Sequence, residues 1–481
     1  MSRMSAFDCL NPFRQSKTII NLTRDEIGLK SIFYTKVGDE TFYASRIDEL
    51  LAKSGQEAKL DLNGLAELLA LGPARYEHSG IFKDIYALPP GYRLKIELSQ
   101  TKLEQYWDFP NRPHPHNEED TVAHVRKLLT DAVLTRLDDL DNTCAMLSGG
   151  VDSSVITAIA AEAYKEAGKQ LHTFSFDFTD SETHFQSNAF QHARDRPWVD
   201  KMVSHCNTHH HYIECNPQDL ADALYPAVDA RDLPGMADVD ASFLYFCSKI
   251  PFKYALTGEA ADEIFNGYPW FHTESSPNLF PWSQDFETRK ILLKDEWIEA
   301  LHLEAVAAKH VNQVKCSNKV EYLTLKWFMP TLLERTNRMG AYSGLEGIVP
   351  FADLKLMEYV WNIPEEMKNK NGIVKYILRE ASRGFVPEDV LFRKKSPFPK
   401  TYDPKYTAIL AERLYDVIAN PASPILAIID VKKTRHFIDT MLKYPNLSRP
   451  WYGQLMAGPQ MLAYVLQLDY WLRKYKVQML F

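Results

Sequence analysis

Leu147-Ser148-Gly149-Gly150-Val151-Asp152-Ser153-Ser154 stands between an apolar run, Thr143-Cys144-Ala145-Met146-Leu147, and the stretch Val155-Ile156-Thr157-Ala158-Ile159-Ala160-Ala161-Glu162. The first run reads as a buried strand and the second as the start of a helix. A strand that turns through two glycines into a helix aims several free backbone N–H groups at one point. That point lies at the positive end of the helix dipole. Gly149 and Gly150 let the main chain approach a ligand closely, and the hydroxyls of Ser148, Ser153 and Ser154 add donors. The element is built to hold an anion, and a chain of phosphates suits it.

The type of loop narrows the ligand. No Gly-x-x-x-x-Gly-Lys-Ser/Thr occurs, so no lysine is presented to a γ-phosphate from this turn. Gly-x-Gly-x-x-Gly is also absent, which argues against a dinucleotide fold. Asp152 beside phosphates is repulsive unless a cation such as Mg²⁺ lies between them. An ordinary Ser/Gly turn accounts for single residues of the run but not for the whole pattern between strand and helix. Ser-Gly-Gly-x-Asp-Ser resembles the signature of the ATP pyrophosphatase superfamily, whose members cleave ATP between the α- and β-phosphates.

Outward from the loop, strand and helix signals alternate. Val122, Val125, Leu129, Ala132 and Val133 share one helical face ahead of the first strand. After the loop helix, closed by Gly168, come a strand at 171–178, a helix around Trp198–Ser204 and a strand at 211–215. Asn216-Pro217 then caps a further helix. Such repetition predicts a parallel sheet with ligands outside the carboxyl ends of its strands. The first hundred residues read instead as short strands at 18–23, 31–34, 41–44 and 93–96, with a helix over 63–71. Pro110 to His116 reads as a linker, and the chain is mainly helical after about residue 295.

At 481 residues two domains are expected. A net charge of −8 gives no support for nucleic acid or an acidic membrane as partner. Cys9, Cys144, Cys206, Cys215, Cys247 and Cys316 are scattered without a Cys-x-x-Cys pair, which fits reduced thiols in a cytoplasm. Neither a membrane span nor a signal peptide is visible.

Two further constellations carry chemistry. Tyr254-Ala255-Leu256-Thr257-Gly258-Glu259-Ala260-Ala261-Asp262-Glu263 is a short strand that delivers three acids as it turns into a helix. If it belongs to the same sheet, Glu259 and Asp262 enter the crevice of Asp152, and Asp152 and Asp262 make a Mg²⁺ pair. An acidic helix N-terminus is the plainer reading of the run alone. The other constellation is basic: Lys375 opens a helix, and Arg393-Lys394-Lys395 follows a second helical turn. Fixed cations stabilise the charge that develops on a leaving pyrophosphate. Arg335, Asn337 and Arg338 face either the crevice or solvent. His205, His209, His210 and His211, with Cys206, invite a metal, but neighbours on a strand point to opposite faces and no carboxylate completes the set.

Together these elements resemble the synthetase half of the bacterial glutamine-dependent asparagine synthetases, over most of residues 120–400. The resemblance implies an α/β fold, a parallel sheet with flanking helices of the adenine nucleotide α-hydrolase-like kind. A β-rich partial glutaminase domain (1–110) precedes it, and the synthetase domain runs over 111–481. By resemblance Ser148, Gly149, Gly150, Asp152 and Ser153 hold the ATP phosphates, and Leu147, Phe176, Thr257 and Gly258 contact the adenosine. Asp152 and Asp262 bind Mg²⁺, Glu259 handles the β-aspartyl-AMP step and the incoming ammonia, and Lys395 stabilises the transition state with help from Lys375. The implied reaction joins aspartate and ammonia at the expense of ATP.

The chain begins Met1-Ser2, whereas the family's glutaminase starts Met-Cys, and Cys9 is no substitute because the free α-amino group serves as base. The expected nitrogen source is therefore free ammonia or a separate glutaminase, with glutamine if the sequence is incomplete at its start. Ile348 stands where the family usually has arginine, and Asn266 where it has glycine. The family also leaves a homodimer open. Amide or macrolactam formation on another carboxylate is the alternative activity, and a non-catalytic remnant the alternative to any.

Overall fold

The computed structural model describes residues 20–97, 100–185, 187, 191–273, 276–444, 450–453 and 456–481. Thr18, Ile19 and Cys9 lie outside these residues. The N-terminal region holds β1 (Ile20–Thr23), β2 (Phe33–Val37), β3 (Glu40–Ala44), β4 (Tyr92–Glu97) and β5 (Gln100–Gln105). β4 pairs antiparallel with β1 and β5, and β2 with β3 and with the short strand Tyr86–Ala87. Helices α1 (Ile47–Ser54) and α2 (Leu62–Leu71) lie in the same region.

The centre is a five-stranded sheet of β6 (Thr143–Met146), β7 (His172–Phe178), β8 (His209–Cys215), β9 (Tyr254–Leu256) and β10 (Glu346–Ile348). Its order is β8-β7-β6-β9-β10, and every pair is parallel, as the alternation predicts. Chain direction across the sheet reverses between β6 and β9. That makes their carboxyl ends the topological switch point, where open α/β sheets bind ligands. The Gly-Gly loop leaves β6 there, and Thr257-Gly258-Glu259 leaves β9 beside it.

Apolar helices cover the sheet. In α4 (Val151–Glu166) every residue from Val151 to Ala161 is buried except Asp152, which is half-buried. Gly168 adopts φ +68° just after its end, where a side chain would be strained. α3 (Glu118–Leu134), capped by Asn117, packs on α4, and α5 (Arg196–Cys206) closes its other side. Asn216 accepts from the Asp219 N–H at 2.8 Å and caps the helix begun by Pro217, as expected.

Beyond β9 the chain is mainly helical; α6 (Asp238–Ser248) precedes β9 and α7 (Met329–Tyr342) precedes β10. β10 was not foreseen as a strand, because Glu346-Gly347-Ile348 lacks the apolar run that marked the equally short β9. Pro110 to His116 is a pinned strap rather than a loose linker. The Arg112 N–H donates to Asn362, Trp361 Nε1 donates to Asn111, and His116 bonds the Tyr359 hydroxyl. One apolar cluster joins Phe33, Leu50 and Leu65 to Phe243 and Trp471, so the N-terminal region and the remainder of the chain share a core. No helix among the described residues is long and apolar enough to cross a membrane.

Candidate active site

A cleft of about 260 Å³ opens at the carboxyl ends of β6, β7 and β9. Ser148, Gly150, Asp152 and Ser153 reach it from the first loop, and Leu147, Phe176, Thr257 and Gly258 line it as well. The loop is tied internally: the Ser148 N–H donates to Ser153 Oγ at 3.1 Å, and the two hydroxyls lie 3.0 Å apart. Gly149 turns the other way. Its φ is +69°, and a Cβ there would come within 2.7 Å of the Val199 nitrogen on α5, so it sets the bend and does not line the cleft. The donor role expected of Ser154 does not hold. It is fully buried, with its hydroxyl unpartnered, because the next helical position rotates it away from the ligand side.

Gly258 lets the two loops touch, since a Cβ there would lie 2.7 Å from the Ser153 nitrogen. Asp262 thereby converges on Asp152, as predicted. Lys375 bridges them: its Nζ lies 2.8 and 2.7 Å from the two Asp152 oxygens and 2.6 Å from Asp262 Oδ1. Lys395 Nζ reaches Asp262 Oδ2 at 2.6 Å. Burial pushes up the Asp152 carboxyl, with Asp262 adding to it and Lys375 opposing. For Asp262 burial acts the same way, but Lys375 and Lys395 together overcome it and hold the carboxyl well below its usual range. Burial disfavours the Lys375 charge, yet the two carboxylates raise its pKa and keep it protonated.

The donor set answers whether a divalent cation suits this place. Two carboxylates from adjacent loops supply hard oxygen ligands, the kind Mg²⁺ takes together with phosphate and water. Asp262 Oδ1 is buried and has only the ionic contact with Lys375, with no well-directed hydrogen bond. The residues fit Mg²⁺, and Asp152 and Asp262 would hold it.

Glu259 lies on the cleft wall and accepts from the Arg335 guanidinium and the Thr336 hydroxyl. Arg335 is buried under Phe243 and Phe398, its guanidinium carbon 5.0 Å and 5.8 Å from their ring centroids. Asn337 and Arg338 are half-buried and do not line the cleft. They donate to the carbonyls of Leu29 and Ser45 in the N-terminal region. Glu263 is buried against the Tyr268 hydroxyl, and burial lifts its carboxyl to about 7.

Sequence reasoning gave no role to Thr336 or Phe398, and had Arg393 only as part of the basic run with Lys395. Arg393 donates to the Ser148 carbonyl at 3.2 Å, and Phe398 stacks on Phe176 with centroids 5.5 Å apart. Only the basic run around Lys395 hinted at them. Asn266, where the resemblance implies glycine, adopts φ +55°, a left-handed conformation that asparagine tolerates better than most residues. Ile348 packs against the apolar cluster beside α4 and does not line the cleft.

A family model described as asparagine synthase matches residues 124–473, which contain the whole cleft. The chain belongs to the asparagine synthase family. Residues 7–107 match the glutamine amidotransferase domain, so the family member carries its own match to that domain and a separate glutaminase is not called for. The chain is 41% identical to glutamine-hydrolyzing asparagine synthetase 3 of Bacillus subtilis (strain 168), over 96% of its own length and 78% of the relative's. It is 27% identical to the glutamine-hydrolyzing asparagine synthetase 1 of the same strain, over 78% of this chain and 65% of that one. The human glutamine-hydrolyzing asparagine synthetase is 27% identical over 62% of this chain and 46% of its own.

Proposed function

We propose that this asparagine synthase makes asparagine from aspartate, ATP and ammonia through a β-aspartyl-AMP intermediate. The observation that carries the reading is the meeting of Asp152, Asp262, Lys375 and Lys395 at the mouth of the Gly-Gly loop. Amides at the N-terminus of α4, with Ser148 and Ser153, receive the phosphates. Leu147, Phe176, Thr257 and Gly258 receive the adenosine, with Gly149 shaping the turn. Mg²⁺ on Asp152 and Asp262 would neutralise phosphate charge.

A β-carboxylate oxygen of aspartate attacks the α-phosphorus, and the bond from that phosphorus to the bridging oxygen of pyrophosphate breaks. Lys395 and Lys375 face the charge that gathers on the leaving group, where fixed cations need no reorganisation. Ammonia then forms a C–N bond at the acyl carbon, AMP departs with the oxygen, and a proton is lost from nitrogen. Glu259, one of several carboxylates lining the cleft, is assigned that proton, with Arg335 and Thr336 orienting it. Alignment and charge stabilisation supply most of the work.

The test incubates the protein with ATP, Mg²⁺ and aspartate, in one arm with ammonium and in the other with glutamine. The expected result is AMP, pyrophosphate and asparagine in equal amounts with ammonium. The glutamine arm reports whether residues 7–107 supply nitrogen. Pyrophosphate release that needs some other carboxylate would replace aspartate as the acceptor, and no pyrophosphate under any condition would end the proposal.

A further inference from the structure

We infer that His172, His209 and His211 form a binding site for a late first-row divalent cation, with Zn²⁺ as its representative. The three imidazoles belong to neighbouring parallel strands. His172 opens β7 and pairs directly with His209 at the start of β8, while His211 lies two residues further along. Alternation puts His209 and His211 on one face. It sends His210 to the other, where it bonds the hydroxyls of Thr173 and Ser175. The chain therefore separates its histidines as the strand rule requires, and the third member of the set comes from the adjoining strand. His205 lies apart, bonded to the Phe385 carbonyl from α5.

The geometry suits one ion. Ring centroids are 4.7 Å apart for His172 and His209, 4.8 Å for His209 and His211, and 5.3 Å for His172 and His211. Three imidazoles on a tetrahedral ion at about 2.0–2.1 Å put their nitrogens roughly 3.3 Å and their ring centres roughly 5 Å apart. One nitrogen from each ring already falls within 4.8 Å of the others, and His172 Nδ1 is 3.0 Å from His211 Nε2. His172 stacks on both neighbours, its plane only 11° from that of His211, while His209 and His211 are tilted by 36°. Convergence therefore needs rotation about the Cβ–Cγ bonds, a torsion with broad, low-cost wells in histidine.

Phe174 stacks under His211 at 4.6 Å and Phe252 flanks His172 at 5.1 Å, which backs the set with apolar surface. His209 is exposed and gives an ion a way in, with water as fourth ligand. Nitrogen ligands without carboxylates favour zinc, copper and nickel over magnesium or calcium. The set sits at the amino ends of β7 and β8. None of the three histidines lines the cleft, although Phe174, stacked under His211, and Tyr212, the residue after His211, form part of its inner wall. A bound ion clamps the edge strand β8 to β7 without taking part in the chemistry of the cleft.

The test uses the tag-free full chain, stripped with chelator and dialysed against Zn²⁺, with His209→Ala and His211→Asn in parallel. One ion per wild-type chain is expected, with affinity reduced more than about a hundredfold in either variant, a larger loss than removing an outer-shell partner brings. Cobalt should give the wild type an intense tetrahedral visible spectrum that H209A lacks. Because His209 is exposed and does not itself line the cleft, H209A should keep its amide-forming rate. Stoichiometric binding that persists unchanged in both variants, or no binding by the wild type, would overturn the inference.

Discussion

A methyl group on Gly267 has nowhere to go: it would sit 2.0 Å from Asp262 Oδ1 and 2.3 Å from Lys375 Cε. Gly267→Ala should therefore push apart the ion cluster on which the proposed chemistry depends. Activity is expected to vanish while stability falls by about 1–3 kcal/mol, as for other overpacked sites, checked by pyrophosphate release beside urea unfolding. Lys395→Ala tests charge stabilisation alone. Its side chain is partly exposed and its ammonium meets Asp262 and the Tyr268 ring, so the fold should survive. The turnover rate should fall by roughly 10²–10³, the usual cost of one preorganised donor, with nucleotide binding much less affected. The residues legible in the sequence were those whose geometry is local. Ser148 to Ser153 are positioned by one turn and one helix start, and Glu259 and Asp262 by another. The Arg335 and Thr336 contacts with Glu259 join segments some 76 residues apart, and no spacing rule reports that.

Among elements, α7 links the site to the N-terminal region. Arg335 and Thr336 hold Glu259, while Glu334 accepts from Arg75 at 2.8 Å and from the Ser31 hydroxyl at 3.0 Å. Arg231 lies 3.7 Å from Glu334, and Arg231 is in turn paired with Asp240 at 2.9 Å. Removing one partner from such a buried ion network leaves charge uncompensated, so Glu334→Ala should cost about 3–5 kcal/mol by denaturant unfolding. Burial alone would raise the Glu334 carboxyl, but Arg75, Arg231 and Arg338 outweigh it and hold it down at about 2. A depressed carboxylate stabilises the fold above its ordinary pKa near 4.5. That contribution is lost as pH falls from about 4.5 through about 2. Wild type should thus lose stability across this window more steeply than Glu334→Gln, and equal slopes would exclude the role. The sequence left this helix facing either crevice or solvent. The structure gives it a second protein surface, since a helix turns about 100° per residue and five consecutive polar residues address two neighbours.

At the scale of the molecule, the parallel sheet and its ligand-binding end were readable because strand–helix alternation restricts topology to few solutions. The joining of the N-terminal region to the rest was not. The C-terminal strand Gln478–Met479 pairs with Lys59–Leu60, and Phe82 stacks on Trp471 with centroids 4.9 Å apart. Contacts between the two ends of a chain leave no periodic trace in either. Because Phe33, Leu50 and Leu65 share one core with Phe243 and Trp471, calorimetry should show a single unfolding transition. Two resolved transitions would mean that the regions melt apart. The central claim is that a carboxylate is adenylated at the switch point between β6 and β9. Aspartate labelled with ¹⁸O in its β-carboxylate tests it directly, since the acyl adenylate must break at the acyl carbon. The account predicts one labelled oxygen in each AMP released; AMP free of label, or ADP and phosphate as products, would contradict it.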